Sequence, residues 1–305
     1  MSSFIVLTGP TGVGKTVLSL NLAENVGAEI VSADSRQIYK GLDIGTAKPT
    51  SDELARVRHH FIDELTIDHP YSAGRFQRDA ATRIREIVDR GRAPLVVGGS
   101  TLYIHALTHG LADIPNVPKD VLDSLESEFR NRGGDALFRE LETADPRSAA
   151  RLDPTKTHRL MRALAVYRAT GRPLSSFHDE QESPVHAFSV VVLSRDRQEL
   201  YRRINTRADS MIAHGLLDEV RGILAQGYDP DTNPLRTIGY REAIEYLRGE
   251  ISLEEMVRLI KRNTRRYAKR QLTWFRRDET NVWLDASRRP EELIDTILAM
   301  EQLRD

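Results

Sequence analysis

The chain has 305 residues, 40% of them hydrophobic and 29% charged, with a net charge of -1 at neutral pH. That length supports a full hydrophobic core, and the near-neutral charge excludes a global positive field, so a nucleic-acid partner would have to be met by a local patch. Cysteine is absent, which excludes disulfides, thiolate metal sites and cysteine nucleophiles and fits a reducing compartment.

In chain order, FIVLT (4–8) is apolar on both faces and has no basic segment before it. It reads as a buried parallel strand and not as a signal peptide. A glycine-rich loop follows, then a helix through Leu18, Leu22 and Val26. A second strand, Glu29 to Ala33, ends at Asp34. A helix through Ala80, Ile84, Ile87 and Val88 leads into a third strand, Pro94 to Val97, which Gly98 and Gly99 break before another helix. This alternation predicts an α/β fold with a doubly wound parallel sheet.

After Gly110 the pattern changes. Residues from about 115 to 185 hold helical segments and no strong strand, punctuated by Gly133-Gly134 and Gly171-Arg172-Pro173. Strands return at Phe188 to Leu193 and at Val282 to Leu284. The expected organisation is a P-loop α/β core in two stretches, 1–112 and 186–305, with a helical insert domain over 113–185. No run approaches the roughly 18 apolar residues of a membrane span, so the expectation is a cytoplasmic enzyme with no membrane association. His59 and His60 are adjacent, and adjacent strand residues point to opposite faces, so they read as structural or substrate-lining residues and not as a metal pair.

Gly9 to Thr16, GPTGVGKT, matches G-x-x-x-x-G-K-[ST] and stands between a strand and a helix, the context that gives the pattern meaning. Glycines let backbone N–H groups turn inward around an anion, and the helix N-terminus adds partial positive charge. Thr11, Gly12 and Gly14 shape the cradle, Lys15 supplies a point charge, and the Thr16 hydroxyl is placed to hold Mg²⁺ on the same phosphates. The loop implies oligophosphate binding, without specifying a nucleotide.

A P-loop NTPase usually carries an aspartate at the end of a later strand to organise Mg²⁺. Here the strand through Val97 ends in Gly98-Gly99-Ser100-Thr101, with no acid. The strand-terminal acid near the loop is Asp34, at the carboxyl edge of the sheet, where open α/β sheets bind ligands. Asp34 fits a metal ligand, a general base, or an N-cap of the segment after it. Ser100 and Thr101 fit either phosphate donors or helix caps.

From Arg258 to Arg277 there are nine Lys/Arg and no Asp/Glu. At helical spacing Arg258, Arg262, Arg265, Lys269 and Arg276 fall near one stripe, with Met256, Val257, Ile260, Tyr267, Ala268 and Trp274 opposite. The segment predicts an amphipathic helix with a positive face suited to a polyanion, either an RNA backbone or a substrate diphosphate. The plainer alternative is a solvated face balanced by acids elsewhere.

Seven stretches resemble the bacterial tRNA dimethylallyltransferases: GPTGVGKT (9–16), SADSRQIYKGLDIGTAKP (32–49), HHFID (59–63), YSAGRFQRDA (71–80), VGGSTLYIHAL (97–107), RTIGYRE (236–242) and TRRYAKRQLTWFRR (264–277). They run in the family's order. The resemblance implies transfer of a dimethylallyl group from its diphosphate to the exocyclic amine of the adenine 3′ to the anticodon. It gives Thr11, Gly12, Gly14, Lys15 and Thr16 to the diphosphate, with Mg²⁺ as cofactor. It implies that Asp34 is the general base, that Ser100 stands near the scissile oxygen where the family usually has threonine, and that Arg236 contacts the diphosphate. Ser35 and Gln37 would lie against the target base. Arg159 and Arg162 would grip substrate phosphate or the anticodon arm, with Arg265 and Lys269 as further substrate contacts. The implied partners are the tRNA anticodon stem-loop and dimethylallyl diphosphate, with no obligate protein partner.

A P-loop kinase of small molecules or nucleotides accounts for the loop and the fold class but not for the missing strand-end acid or the DIGTAKP block. A prenyltransferase of free adenine nucleotides shares the core but has no use for the insert and the basic helix. A pure tRNA-binding module has no need of a phosphate loop.

Overall fold

The computed structural model describes residues 3–153, 156–180, 184 and 186–302. The chain divides into two compact units, Met1–Thr108 with Val185–Asp305, and His109–Pro184. In chain order the elements are β1 (Phe4–Thr8), α1 (Lys15–Val26), β2 (Ala28–Ala33), α2 (Ser51–Arg56), β3 (His59–His60), α3 (Ala73–Asp89), β4 (Ala93–Gly98) and α4 (Thr101–His109). Then come α5 (Lys119–Arg132), α6 (Gly134–Ala144), α7 (Pro146–Arg151), α8 (Thr157–Thr170) and α9 (Leu174–Asp179). The first unit resumes with β5 (Phe188–Ser194), α10 (Arg197–Ala213), α11 (Leu216–Ala225), α12 (Tyr240–Leu247), α13 (Leu253–Phe275), β6 (Val282–Asp285) and α14 (Pro290–Gln302).

The strands form one sheet in the order β3-β2-β4-β1-β5-β6, and every pairing is parallel. Parallel pairing demands crossovers that cover the faces with helices, which explains why β1, β2 and β4 are mostly apolar, with Thr8, Glu29 and Ser32 buried among them. Ile5, Leu7, Ile30, Leu95, Val191 and Leu193 are buried against Leu18 and Leu22 of α1, Leu200 and Ile204 of α10 and Ile297 of α14. In α3 the buried Phe76, Ala80, Ile84 and Ile87 recur at helical spacing. Two valines expected on apolar faces end in solvent. Val26 is the last residue of α1 before the left-handed Gly27, and Val88 lies one position off the α3 stripe.

At the edge, β3 is two residues long. His59 Nδ1 bonds the Val57 carbonyl at 2.7 Å, while His60 turns inward, its Nε2 2.7 Å from Glu29 and its Nδ1 2.8 Å from Arg83. An arginine has no acceptor, so Nδ1 must be the bare nitrogen and Nε2–H donates to Glu29. The two histidines therefore serve the sheet edge separately.

The second unit packs Leu125, Leu137, Leu141, Leu160 and Leu164 into its own core. Arg168 of α8 reaches Glu128 and Glu140 at 2.6 and 2.8 Å. The buried Asp145 carboxylate takes N–H groups of Ser148 and Ser175 and so ties α7 to the start of α9. Among the described residues no helix is long and apolar enough to cross a membrane.

Candidate active site

The phosphate loop follows β1 with glycines at the positions that need them. Gly12 and Gly14 have φ of 81° and 112°, and a Cβ on Gly9 would stand 2.6 Å from the Leu193 carbonyl. Lys15 opens α1, and its ammonium donates to the carbonyls of Gly9 at 2.9 Å and Pro10 at 3.1 Å. Its pKa is pushed down to about 8, chiefly by burial and then by the Arg207 guanidinium, with Asp34 acting in the opposite sense.

Helix α10 supplies a second row of cations. Arg203 Nε donates to the Gly12 carbonyl at 2.8 Å, and Arg195 Nε, just before the helix, to that of Val13 at 3.4 Å. Arg207 is held below the usual arginine range by burial and by Arg203. Thr11, Gly12, Gly14, Lys15 and Thr16 line a cavity of about 760 Å³ together with Arg202, Arg203 and Arg207. Its chemistry is that of a polyanion site.

A second cavity, about 430 Å³, is lined by Asp34, Ser35, Arg36, Ser100 and Arg236 and by the apolar Ile204, Ala208, Met211, Ile238 and Ile260. Thr11, Asp34, Thr46, Arg207 and Tyr267 belong to the walls of both. A cationic chamber and a partly apolar chamber thus meet at a carboxylate.

Asp34 ends the β2 turn in two capacities. Its Oδ1 accepts from the backbone N–H groups of Arg36 at 2.8 Å and Gln37 at 3.3 Å, which is a capping role. Its Oδ2 accepts no hydrogen bond among the described residues. The same side chain therefore fixes the turn with one oxygen and lines both cavities. Ser100 Oγ accepts from Ser35 N at 2.9 Å and donates to Ser35 Oγ at 3.2 Å, so it ties the end of β4 to that turn. Gln37 lines the larger cavity, and its Nε2 donates to the carbonyls of Thr46 and Ala47 at 3.4 and 3.3 Å. Arg236 is exposed at the smaller cavity, 3.4 Å from Asp231.

The basic helix is less uniform than its sequence. Arg258 pairs with Glu255 at 2.6 Å and Lys261 with Asp209 at 2.6 Å. Arg265 donates to Asn205 Oδ1 at 2.6 Å and lies over the Tyr201 ring. The acids that answer these cations stand just upstream of the acid-free window or on α10. Neither Arg265 nor Lys269 lines either cavity, and it is Arg270, over the Tyr267 ring, that lines the smaller one. The buried stripe is Met256, Ile260, Ala268, Gln271 and Phe275; Tyr267 is partly buried beside it. Arg159 and Arg162 are exposed on α8 of the second unit.

Several residues of the site are assigned no role by sequence, although Tyr267 and Gln271 stand in the stretch 264–277. Gln271, 2% exposed, accepts from Thr11 N at 2.9 Å and donates to the Gly99 carbonyl at 2.7 Å, joining the phosphate loop to the end of β4. A Cβ on Gly99 would stand 2.6 Å from that amide nitrogen. Tyr267 O–H donates to the same carbonyl at 3.4 Å, and its pKa is pushed up to about 12 by burial and by Asp34. The signal for Gln271 is a lone amide at the spacing of an apolar stripe. The signal for Arg203 and Arg207 is their i,i+4 spacing beside the buried Leu200 and Ile204.

Comparison with known proteins meets this geometry. A family model described as IPP transferase matches residues 37–278. The tRNA dimethylallyltransferase of Salinibacter ruber is 54% identical over 295 residues, which cover 96% of this chain and 91% of that protein. That of Geobacter metallireducens is 43% identical over 297 residues, 96% of each. The solved structure of the full-length tRNA isopentenylpyrophosphate transferase from Bacillus halodurans matches with a TM-score of 0.73 at 36% identity, covering 99% of this chain and 97% of that one. A eukaryotic dimethylallyltransferase acting on tRNA matches with a TM-score of 0.80 at 29% identity, over 94% of this chain and 74% of its own. On the breadth of that family match and the identity of relatives aligned along nearly its whole length, the chain belongs to the IPP transferase family.

Proposed function

We propose that the chain is a tRNA prenyltransferase, moving a dimethylallyl group from its diphosphate to the exocyclic amine of the adenine 3′ to the anticodon. The observation that carries this reading is the Asp34 carboxylate on the shared wall of a cationic chamber and a partly apolar one. The diphosphate occupies the phosphate loop between Lys15, Arg203 and Arg207, and the base and the five-carbon group meet at Asp34.

In the reaction the allylic C–O bond breaks, its electron pair leaves with the diphosphate, and the carbon bonds to the adenine amine. The amine's proton goes to Asp34 Oδ2. Separation of the diphosphate is favoured where cations are already placed around the developing charge. Lys15 and Arg207 stand on one side and Arg236 on the other, with the Ser100 hydroxyl near the scissile oxygen. An aromatic amine is a weak nucleophile, and a carboxylate within hydrogen-bond reach assists as its proton is lost.

The described residues hold no group of three or more acidic or histidine side chains suited to a metal. The donors present fit Mg²⁺ of the kind held largely by substrate phosphates and water, with the exposed Thr16 hydroxyl as its protein ligand. There it would neutralise charge on the diphosphate. The target adenine has to leave its stack to reach Asp34, as in other base-modifying enzymes. Ser35 and Gln37 face the base, and the exposed Arg159, Arg162 and Lys269 are assigned to the RNA backbone.

The test is transfer of label from dimethylallyl diphosphate. Label is expected in unmodified tRNA, at the adenine 3′ to the anticodon, and not in adenosine nucleotides. Label in free nucleotides alone would overturn the choice of substrate. Lys15-dependent transfer of γ-phosphate from ATP to a small acceptor would replace the reading with a kinase.

A further inference from the structure

The segment 42–48 forms one wall of both chambers, with Gly45 on the smaller, Ala47 on the larger and Thr46 on both. Nothing in its sequence explains how a loop with so little regular structure is held. The structure supplies the anchor from α11. Glu219 Oε2 accepts from the backbone N–H groups of Asp43 at 3.1 Å and Ile44 at 2.7 Å, and Oε1 from that of Gly45 at 3.2 Å. The Tyr240 hydroxyl donates to the same Oε1 at 2.6 Å. Among the described residues no basic side chain pairs with Glu219, so its charge is met by dipoles alone. Three successive N–H groups converging on one carboxylate make the concave anion site that backbones form around phosphates, filled here by the protein's own side chain.

The packing around it is tight. Tyr240 is wholly buried, and a Cβ on Gly45 would stand 2.4 Å from its ring. At the far end Lys48 donates to the Tyr39 carbonyl at 3.0 Å and pairs with Asp43 and Asp63. Between these anchors the carbonyls of Thr46 and Ala47 receive the Gln37 amide. A chain of contacts therefore runs from the Glu219 carboxylate through the loop backbone to Gln37.

We infer that Glu219 is a positioning residue for the RNA base: it fixes the 43–47 backbone, and through it the orientation of Gln37, without touching either substrate. The inference rests on the prenyltransferase reading and adds to it a residue outside the phosphate loop and the Asp34 turn. It bears more on the base than on the diphosphate, because the backbone that Glu219 holds is the one that receives the Gln37 amide, and Glu219 makes no hydrogen bond to residues 9–16.

The experiment uses Glu219→Ala and the less disruptive Glu219→Gln in the full chain, with each substrate varied in turn. Hydrogen bonds to a charged group are strong enough that kcat/KM for tRNA is expected to fall by about tenfold or more. The KM for dimethylallyl diphosphate should change far less, since of this loop only Thr46 and Ala47 line the larger chamber. Formate added to Glu219→Ala should restore part of the lost rate by filling the vacated N–H cluster, and chloride at equal ionic strength should not. If Glu219→Ala does not fold, Glu219→Gln carries the same split between substrates. Unchanged kinetics would overturn the inference. So would parallel losses for both substrates that track the folded fraction and ignore formate. Failure of the wild type to prenylate tRNA would instead sink the underlying reading, a separate result.

Discussion

The two sides of the larger chamber are built by opposite means. On one side the phosphate loop is eight consecutive residues whose shape comes from glycine backbone angles. On the other, α10 and α13 contribute side chains whose partners lie far away in sequence: Arg203 reaches Gly12 and Gln271 reaches Thr11, 191 and 260 residues apart. Backbone-built anion sites are contiguous because each N–H must follow its neighbour around the ligand. Side-chain supports are free to come from any element that packs nearby. The difference is a division of labour: the loop takes its shape from its own backbone, and the helices brace it and add Arg203 and Arg207 to the chamber wall.

Substitutions can break or sharpen that division. The largest effect is expected at the shared wall. Asp34→Asn keeps the cap, since asparagine caps about as well as aspartate, but removes the base. Its single-turnover rate should fall by about 10²–10⁴-fold while tRNA affinity holds. A rate near wild type would leave Asp34 as a cap only, and recovery at raised Mg²⁺ would make it a metal ligand.

Lys15→Ala should lower turnover by about 10²–10³-fold, the usual cost of removing one preorganised donor from developing charge, and should weaken diphosphate binding. The wild type offers a pH version of the same test. The Lys15 pKa is pushed below its ordinary value to about 8, so its charge is present below that pH and lost as pH rises through it. The KM for dimethylallyl diphosphate should therefore climb above about pH 8, and this limb should vanish in Lys15→Ala. A KM flat through that range would remove Lys15 from the anion site.

Gln271→Leu tests the helical side. It leaves Thr11 N and the Gly99 carbonyl without partners in a buried place, at about 1–3 kcal/mol for each orphaned group. The expected outcome is a lower melting temperature together with a raised KM for the diphosphate. A change in stability alone would mean that the loop keeps its shape unaided. The smallest effect is expected at the exposed Lys269. Lys269→Glu should leave the diphosphate KM unchanged and reduce the salt slope of tRNA affinity by about 1. An unchanged slope would make it a solvated charge.

How much of this was legible in the sequence follows the same division. Strands β1, β2, β4 and β5 were readable because burial on both faces leaves mostly apolar runs, and the phosphate loop because its glycines fall within six consecutive residues. Asp34 was readable as a strand-end acid; the structure shows its Oδ1 in a cap, and its part as base is the proposal that Asp34→Asn tests. The positive face expected along α13 is partly balanced by acids elsewhere, as the plainer alternative had it, since Glu255 and Asp209 lie outside the acid-free window and become neighbours only on folding. Glu219 was invisible for the same reason, because an ordinary acid on an amphipathic helix says nothing of the backbone it will meet.

The crowding of Lys15, Arg203 and Arg207 has a thermodynamic side. Like charges brought together in a partly enclosed site oppose folding, and burial and mutual repulsion already depress the pKa values of Lys15 and Arg207. A polyanion bound there relieves the repulsion and binds the folded chain far better than the unfolded one, so by linkage it raises the unfolding temperature. A bound polyanion would in this sense complete the protein's charge balance, and the rise in unfolding temperature it brings is the sign to look for.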